Sequence, residues 1–331
     1  MSFSTDSTIS VSPQGEKFTL PSKDEFQNEF KRLRALADLA RSQQKEVVVV
    51  LGNGFSTTVM AAIIADSKNN NGENSKFVIW CQNFSAQNYW KIPTFNKGQS
   101  PVKTADPLVA ELISSTVNHS QNLTATYNTD CLSLADCVIA DAQCDDPNNE
   151  PGELFSTEIQ TNELKATMKA IGEKISPYCL VLVESAAAPG TTEFVAYPVL
   201  KNEFDIREIE NEPLLAHSFR GIVTSEKDYV SNIRKFWRVC AGCNDNSRRR
   251  VQAFLKSIHP ENHQVTVFER PIESETTMII ENSYKTTLLA LYNEWNLFAE
   301  RNGVNFSKVI EAIRRHPAHS NLFFTDSPPE G

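Results

Sequence analysis

Two periodicities alternate along the chain. Phe26, Phe30, Leu33, Leu36 and Ala40 recur at helical spacing, which predicts an amphipathic segment over 22–44, helical to about Arg41. Ser22-Lys23-Asp24-Glu25 before it is a capping box, in which Ser22 and Glu25 satisfy each other's free amides. Lys31, Arg32 and Arg34 read as the solvated face of this helix. The pattern then changes to a continuous β-branched run, Glu46–Leu51, of the kind buried on both faces of a parallel sheet. Further apolar runs at 77–81, 123–127, 137–142, 179–184 and 265–268 are separated by helical or polar stretches. Strands alternating with helices predict an α/β fold, a Rossmann-like doubly wound parallel sheet.

From 273 to 302 the helical period returns. Ile280, Tyr284, Leu288, Tyr292, Trp295 and Phe298 mark one long helix, stopped by Asn302-Gly303. Such an aromatic stripe serves a core or a dimer interface. A shorter helix follows over 305–315, before Pro317. The sequence thus divides into a disordered leader (1–21), the amphipathic helix (22–44), a Rossmann-like dinucleotide-binding domain (45–271) and a helical dimerisation region (272–331). Residues 69–74 read as an exposed Asn-rich insertion, 141–154 as a polar loop and 325–331 as a tail.

Composition narrows the function classes. The 331 residues carry 32 basic and 41 acidic side chains, a net charge of -9, which argues against non-specific nucleic-acid binding. No stretch has the length and apolarity of a membrane span, and 1–15 lack an apolar signal region, so a cytoplasmic location is expected. The seven cysteines lie mostly in apolar runs, where a reduced thiol packs as a small hydrophobe. Cys240-Ala-Gly-Cys243 has metal-ligand spacing but no second pair, and no metal is expected. His316 and His319, the aspartates 130, 136 and 141, and the run Arg248-Arg249-Arg250 read as surface, cap and helix-start residues.

The chemistry concentrates after the first long strand. Leu51-Gly52-Asn53-Gly54-Phe55-Ser56-Thr57 leads into an apolar helix, the setting in which a dinucleotide pyrophosphate sits on a helix N-terminus. Gly52 allows the tight turn, and Gly54 lets backbone amides approach phosphate. The third glycine position is Thr57, whose side chain is expected to crowd helix against strand. Gln82 stands at the end of the second strand, where a ribose-binding carboxylate is usual. Gly52, Asn53, Gly54, Phe55, Ser56 and Gln82 are the candidate cofactor residues. A dinucleotide such as NAD is the cofactor to expect here, bound weakly at best, since Thr57 and Gln82 each remove a feature of the usual site. Glycine is scarce overall: the chain has 12, about half the usual share of roughly 7%.

Three stretches together resemble the nucleotide-sugar 6-dehydrogenases (the UDP-glucose/GDP-mannose dehydrogenase family). They are the glycine turn, the segment from Val183 through Pro189-Gly190-Thr191-Thr192 to Glu193, and the helix from Glu275 through Glu281-Asn282-Ser283-Tyr284 to Asn293-Glu294. The resemblance implies an NAD-binding Rossmann domain, a central helical dimerisation region, and oxidation of a sugar alcohol to a carboxylate. It implies a cysteine nucleophile, a held water, a carboxylate, and a lysine–asparagine pair for the oxyanion. Carried over residue by residue, the catalytic set is not intact. The water-holding threonine falls on Ala186, the glutamate on Arg220 and the lysine on Met278, while Asn282 is retained. The cysteine-bearing segment is expected beyond Gly331, with the C-terminal sugar-nucleotide domain absent. Three readings follow. The first is a non-catalytic Rossmann protein that binds NAD and acts through a homodimer on the 273–302 helix or through a protein partner. The second is a dehydrogenase whose catalytic C-terminal domain is missing from this chain. The third is a purely structural dimer.

Overall fold

The computed structural model describes residues 9–141, 157–185, 188–220, 227–235, 237–258 and 265–315. Its strands are β1 (Ile9–Val11), β2 (Lys17–Thr19), β3 (Glu46–Leu51), β4 (Lys76–Cys81), β5 (Leu123–Thr126), β6 (Cys137–Ala140), β7 (Leu180–Val183), β8 (Leu214–Arg220), β9 (Arg238–Gly242) and β10 (Val265–Phe268). Its α-helices are α1 (Lys23–Ser42), α2 (Phe55–Ala65), α3 (Lys91–Asn96), α4 (Pro107–Ser114), α5 (Thr157–Gly172), α6 (Tyr197–Ile206), α7 (Tyr229–Lys235), α8 (Asp245–Ile258), α9 (Pro271–Arg301) and α10 (Phe306–Arg314).

The β-branched run of β3 sits inside an eight-stranded sheet ordered β10-β9-β8-β7-β6-β3-β4-β5. β3 pairs in parallel with both β4 and β6, so its side chains find no solvent on either face. Alternation then sorts them. Val48, Val50, Val78 and Trp80 pack under α2, α4 and α8, whereas Val47, Val49, Ile79 and Val138 pack under α1, α5 and α6. This is the expected doubly wound arrangement, with one antiparallel junction between β8 and β9. The crossover from β5 to β6 is only a short 3-10 turn, Thr129–Leu134. The sheet face it leaves bare is covered by α1, which buries Leu33, Ala37 and Ala40. Both halves of the Ser22–Glu25 capping box form, with Ser22 N donating to Glu25 Oε2 at 2.7 Å.

Several expectations change. The leader is not wholly irregular: β1 and β2 pair as an antiparallel hairpin. Ser10, buried, accepts a hydrogen bond from Trp90 N at 3.1 Å, and Lys97 pairs with Glu16 at 2.8 Å. A three-residue strand held by distant partners leaves no periodic signal in a Ser/Thr-rich stretch. β8 and β9 were not among the expected strands. His217 and Arg238 interrupt their apolar runs, yet both are fully buried because the fold supplies their partners. The 137–142 and 123–127 runs end earlier as strands, at Ala140 and Thr126. Asp136 accepts from Val47 N of β3 at 2.8 Å and Asp130 pairs with Lys174 at 2.7 Å, contacts with distant residues and not the local caps expected. Arg248-Arg249-Arg250 lie in the opening turns of α8, and Arg250 pairs with Glu46. The polar loop beyond Asp141, His316, His319 and the tail lie outside the described residues. Among those residues, no helix is long and apolar enough to cross a membrane.

Candidate functional site

Parallel strands end together, and the loops at their carboxyl edge make the site. Gly52 leaves β3 with φ +150, and its N–H donates to Cys81 O at 3.1 Å, tying the turn to the end of β4. A side chain at Gly52 would meet Thr57 Cγ2 at 2.7 Å and Asp141 O at 3.2 Å, so glycine is needed there. Gly54 is the N-cap of α2, and the space in front of its Cα is open to beyond 4 Å. That is the cradle a phosphate would use, facing the first amides of an 11-residue helix. Thr57 does not crowd helix against strand. Its methyl fills the space left by Gly52, and its hydroxyl donates to Gly54 O at 2.9 Å.

The other cofactor candidates are brought to the same edge with different states. Asn53 keeps its side-chain Oδ1 buried with no hydrogen-bond partner. The Phe55 ring packs edge-on against Tyr229, 4.7 Å between centroids, which leaves its backbone to face the turn. Ser56 sits half-buried in the first turn of α2. Trp80 Nε1 donates to Gly52 O at 3.0 Å, so the Trp80 face of β4 looks onto the glycine turn. Gln82 lies two residues further on that face; it is buried, and its Nε2 has no hydrogen-bond partner. Two orphaned buried amide atoms beside an open turn fit a group rich in hydroxyls and phosphates.

Sequence reasoning missed Lys91 at the start of α3, whose Nζ donates to Asn53 O at 3.4 Å and brings positive charge to the turn. Nothing near it in sequence marks that role; the hairpin contact at Trp90 and the fold of α3 place it. It also missed a cavity of about 240 Å³ at the ends of β4 and β5, lined by Pro21, Lys23, Phe26, Phe84 and Tyr127. Tyr127 stacks edge-on with Phe84 at 5.7 Å and with Tyr89 at 5.5 Å, and burial raises the pKa of both tyrosines. An aromatic-walled cavity of this size suits a planar base.

Two of the positions that the resemblance marks as catalytic, Met278 and Asn282, lie on α9, which packs against β8 and β9. Glu275 is fully buried and accepts from Gly190 N at 2.5 Å and Thr192 N at 2.7 Å, so the Pro-Gly-Thr-Thr segment and the long helix meet on one carboxylate. Burial raises its pKa against the pull of those amides. One turn on, Met278 is buried with Phe219, Val239 and Phe268 in an apolar cluster. Asn282 follows on the same face, with Oδ1 buried and unpartnered. Arg220 is the last residue of β8, in register with Arg238, and its side chain lies outside the described residues, as does Ala186. Cys240 is buried in β9 with its thiol pushed up to about 12 by burial, and Cys243 is partly exposed. Among the described residues no group of three or more His, Cys, Asp and Glu side chains converges as a metal site would require.

His217 is a further buried titratable group of this end. Its Nδ1 lies 2.6 Å from Ser274 Oγ, while Nε2 has no partner. Burial lowers its pKa to about 4, with the Glu184 charge opposing. The unfolded imidazole takes up a proton near 6.5 and the folded one only near 4. Stability is therefore unaffected above the unfolded value and falls as pH drops below it, by up to about 1.4 kcal/mol per pH unit until the folded group also protonates. Denaturant titrations at pH 7, 6 and 5 are expected to show a shallower loss for His217→Gln than for wild type. Equal slopes for the two would refute the assignment.

No family model matches the chain. It is 27% identical over 156 residues to a UDP-N-acetyl-D-mannosamine dehydrogenase of Pyrococcus horikoshii, covering 46% of this chain and 35% of that protein. It is 28% identical over 155 residues to a protein of the same description from Methanocaldococcus jannaschii, covering 45% and 33%. The chain thus spans about a third of the length of these two relatives. Among solved structures, an NDP-N-acetyl-D-galactosaminuronic acid dehydrogenase from Methanosarcina mazei superposes with a TM-score of 0.62 at 25% identity, over 85% of this chain and 55% of that one. A ternary complex of GDP-mannose dehydrogenase from Pseudomonas aeruginosa shares the fold with a TM-score of 0.61 at 15% identity, over 83% and 59%.

Proposed function

We propose that this chain belongs to the nucleotide-sugar dehydrogenase family, which its likeness to such enzymes supports, that it binds a dinucleotide at the β3–α2 turn, and that it does not itself oxidise a sugar nucleotide. The observation that carries this reading is the contrast between the two ends of one sheet edge. At the turn, the space before Gly54 is open, and the side-chain Oδ1 of Asn53 and Nε2 of Gln82 are buried without hydrogen-bond partners. At the α9 crossing, the place where the resemblance puts an oxyanion-stabilising lysine is Met278, closed in against Phe219 and Val239. A thioether offers neither charge nor a donor, and loss of one such donor alone costs about 10²–10³ in rate. NAD, which the resemblance implies, would lie with its phosphates on the Gly52–Ser56 turn, its adenine in the Phe84–Tyr127 cavity, and Lys91 beside the charge. When bound, it would supply a hydride acceptor; this chain's residues hold and orient it.

Formation of reduced nicotinamide is the test. None is expected from UDP- or GDP-sugars with NAD, and Met278→Lys is not expected to restore it. That variant forces an ammonium into an apolar cluster and should destabilise the fold by about 2 kcal/mol or more in a urea titration. Sustained turnover by wild type would refute the reading in favour of an active dehydrogenase.

The same reading takes α9 as the face of a homodimer. Ile280, Tyr284, Trp295 and Phe298 are exposed along the helix, while Tyr292 packs on Trp295 and on Phe306 of α10. Replacing Tyr284 and Trp295 together by glutamate is expected to convert a dimer to monomer in analytical ultracentrifugation. A dimer that survives both changes would put the interface elsewhere.

A further inference from the structure

Resting on the dinucleotide reading above, we infer that the adenosine end of the site accepts a 2′-phosphorylated ribose, so that NADP+ binds at least as well as NAD+. The turn that follows the second strand of such a sheet selects NAD through a carboxylate that takes the ribose 2′-hydroxyl and repels a 2′-phosphate. Here that place is Gln82, on the Trp80 face of β4, and Trp80 itself reaches the glycine turn through Gly52 O at 3.0 Å. Gln82 is 2% exposed, and its Nε2, a donor, has no hydrogen-bond partner. A buried donor without a partner is satisfied equally by a hydroxyl or by a phosphate oxygen, and it repels neither.

The surroundings point the same way. No aspartate or glutamate occurs from Cys81 to Lys91. The acidic residues facing the aromatic wall from α1 are already engaged. Glu29 is held by Arg32 through two contacts of 2.8 Å, and Glu25 accepts Ser22 N at 2.7 Å in the capping box. The cations at the two borders are Lys91, at the glycine turn, and Lys23, on the rim of the cavity between Phe26 and Tyr127. With no carboxylate in the turn itself, Glu25 and Glu29 engaged by other groups, and Lys91 and Lys23 at its borders, an added phosphate meets less like charge than at a turn that carries the selecting carboxylate.

Calorimetric titrations of the full chain separate the possibilities. The ligands are NAD+, NADP+, and the pair 5′-AMP and 2′,5′-ADP (adenosine 2′,5′-bisphosphate), which differ only in the 2′-phosphate. NADP+ is expected to bind at least as tightly as NAD+, and 2′,5′-ADP more tightly than 5′-AMP. Gln82→Glu should lower the affinity for NADP+ and 2′,5′-ADP by about tenfold or more relative to that for NAD+ and 5′-AMP, turning the ratio of the two towards the ligands without a 2′-phosphate. Circular dichroism checks that this variant folds, and the wild-type comparison stands without it. Tighter binding of NAD+ than of NADP+ by wild type overturns the inference while leaving the dinucleotide site in place. If none of the four ligands binds, the dinucleotide reading itself fails and this inference falls with it.

Discussion

Arg238→Ala is expected to destabilise the fold by about 3–5 kcal/mol, because it takes the guanidinium away from a carboxylate that is itself largely shielded from water. Arg238 is completely buried in β9. Its Nη1 lies 2.7 Å from Glu184 Oε1, and its Nη2 lies 3.8 Å from the sulfur of Met60 in α2. The guanidinium therefore joins the end of β7 to the helix that follows the glycine turn. Most of the loss is the cost of withdrawing the counter-charge from Glu184, not the net worth of the pair. The double variant Arg238→Met with Glu184→Gln, which removes both charges and restores volume, should recover a large part of it. Urea titrations of the three proteins decide this. A double variant no more stable than the alanine variant would show that Glu184 is compensated by another group.

Gly52→Ala is expected to abolish dinucleotide binding and to cost about 1–3 kcal/mol in stability, since the backbone there is one that side chains rarely adopt. The added carbon would press on Thr57 Cγ2 and on Asp141 O. The helix start must then move, and with it the amides that face the open space before Gly54. Relief by a second change, Thr57→Gly, separates crowding from backbone strain: crowding predicts partial recovery of binding, and strain alone predicts none.

What the chain reveals in one dimension depends on whether a residue's partners are local. The β3 run, the Ser22–Glu25 box and α9 are legible because strand burial, capping and helical period are written within a few residues. The glycine turn is legible for the same reason, and the structure gives Gly52 and Gly54 distinct tasks. β8 and β9 are not, because His217 and Arg238 look like surface residues until Ser274 and Glu184 arrive from 57 and 54 positions away. Lys91 is invisible for a related reason: its role comes from a contact with Asn53, 38 positions earlier. Thr57 misleads in the opposite sense. Read alone it is a bulky residue at a glycine position, whereas beside Gly52 it is the side chain that fills the turn.

The most direct test of the central claim is a calorimetric titration of NAD+ into the full chain, with Gly52→Ala run in parallel. The account predicts saturable binding of one NAD+ per chain by wild type and none by the variant. A flat titration for wild type, or equal binding by both proteins, would contradict it.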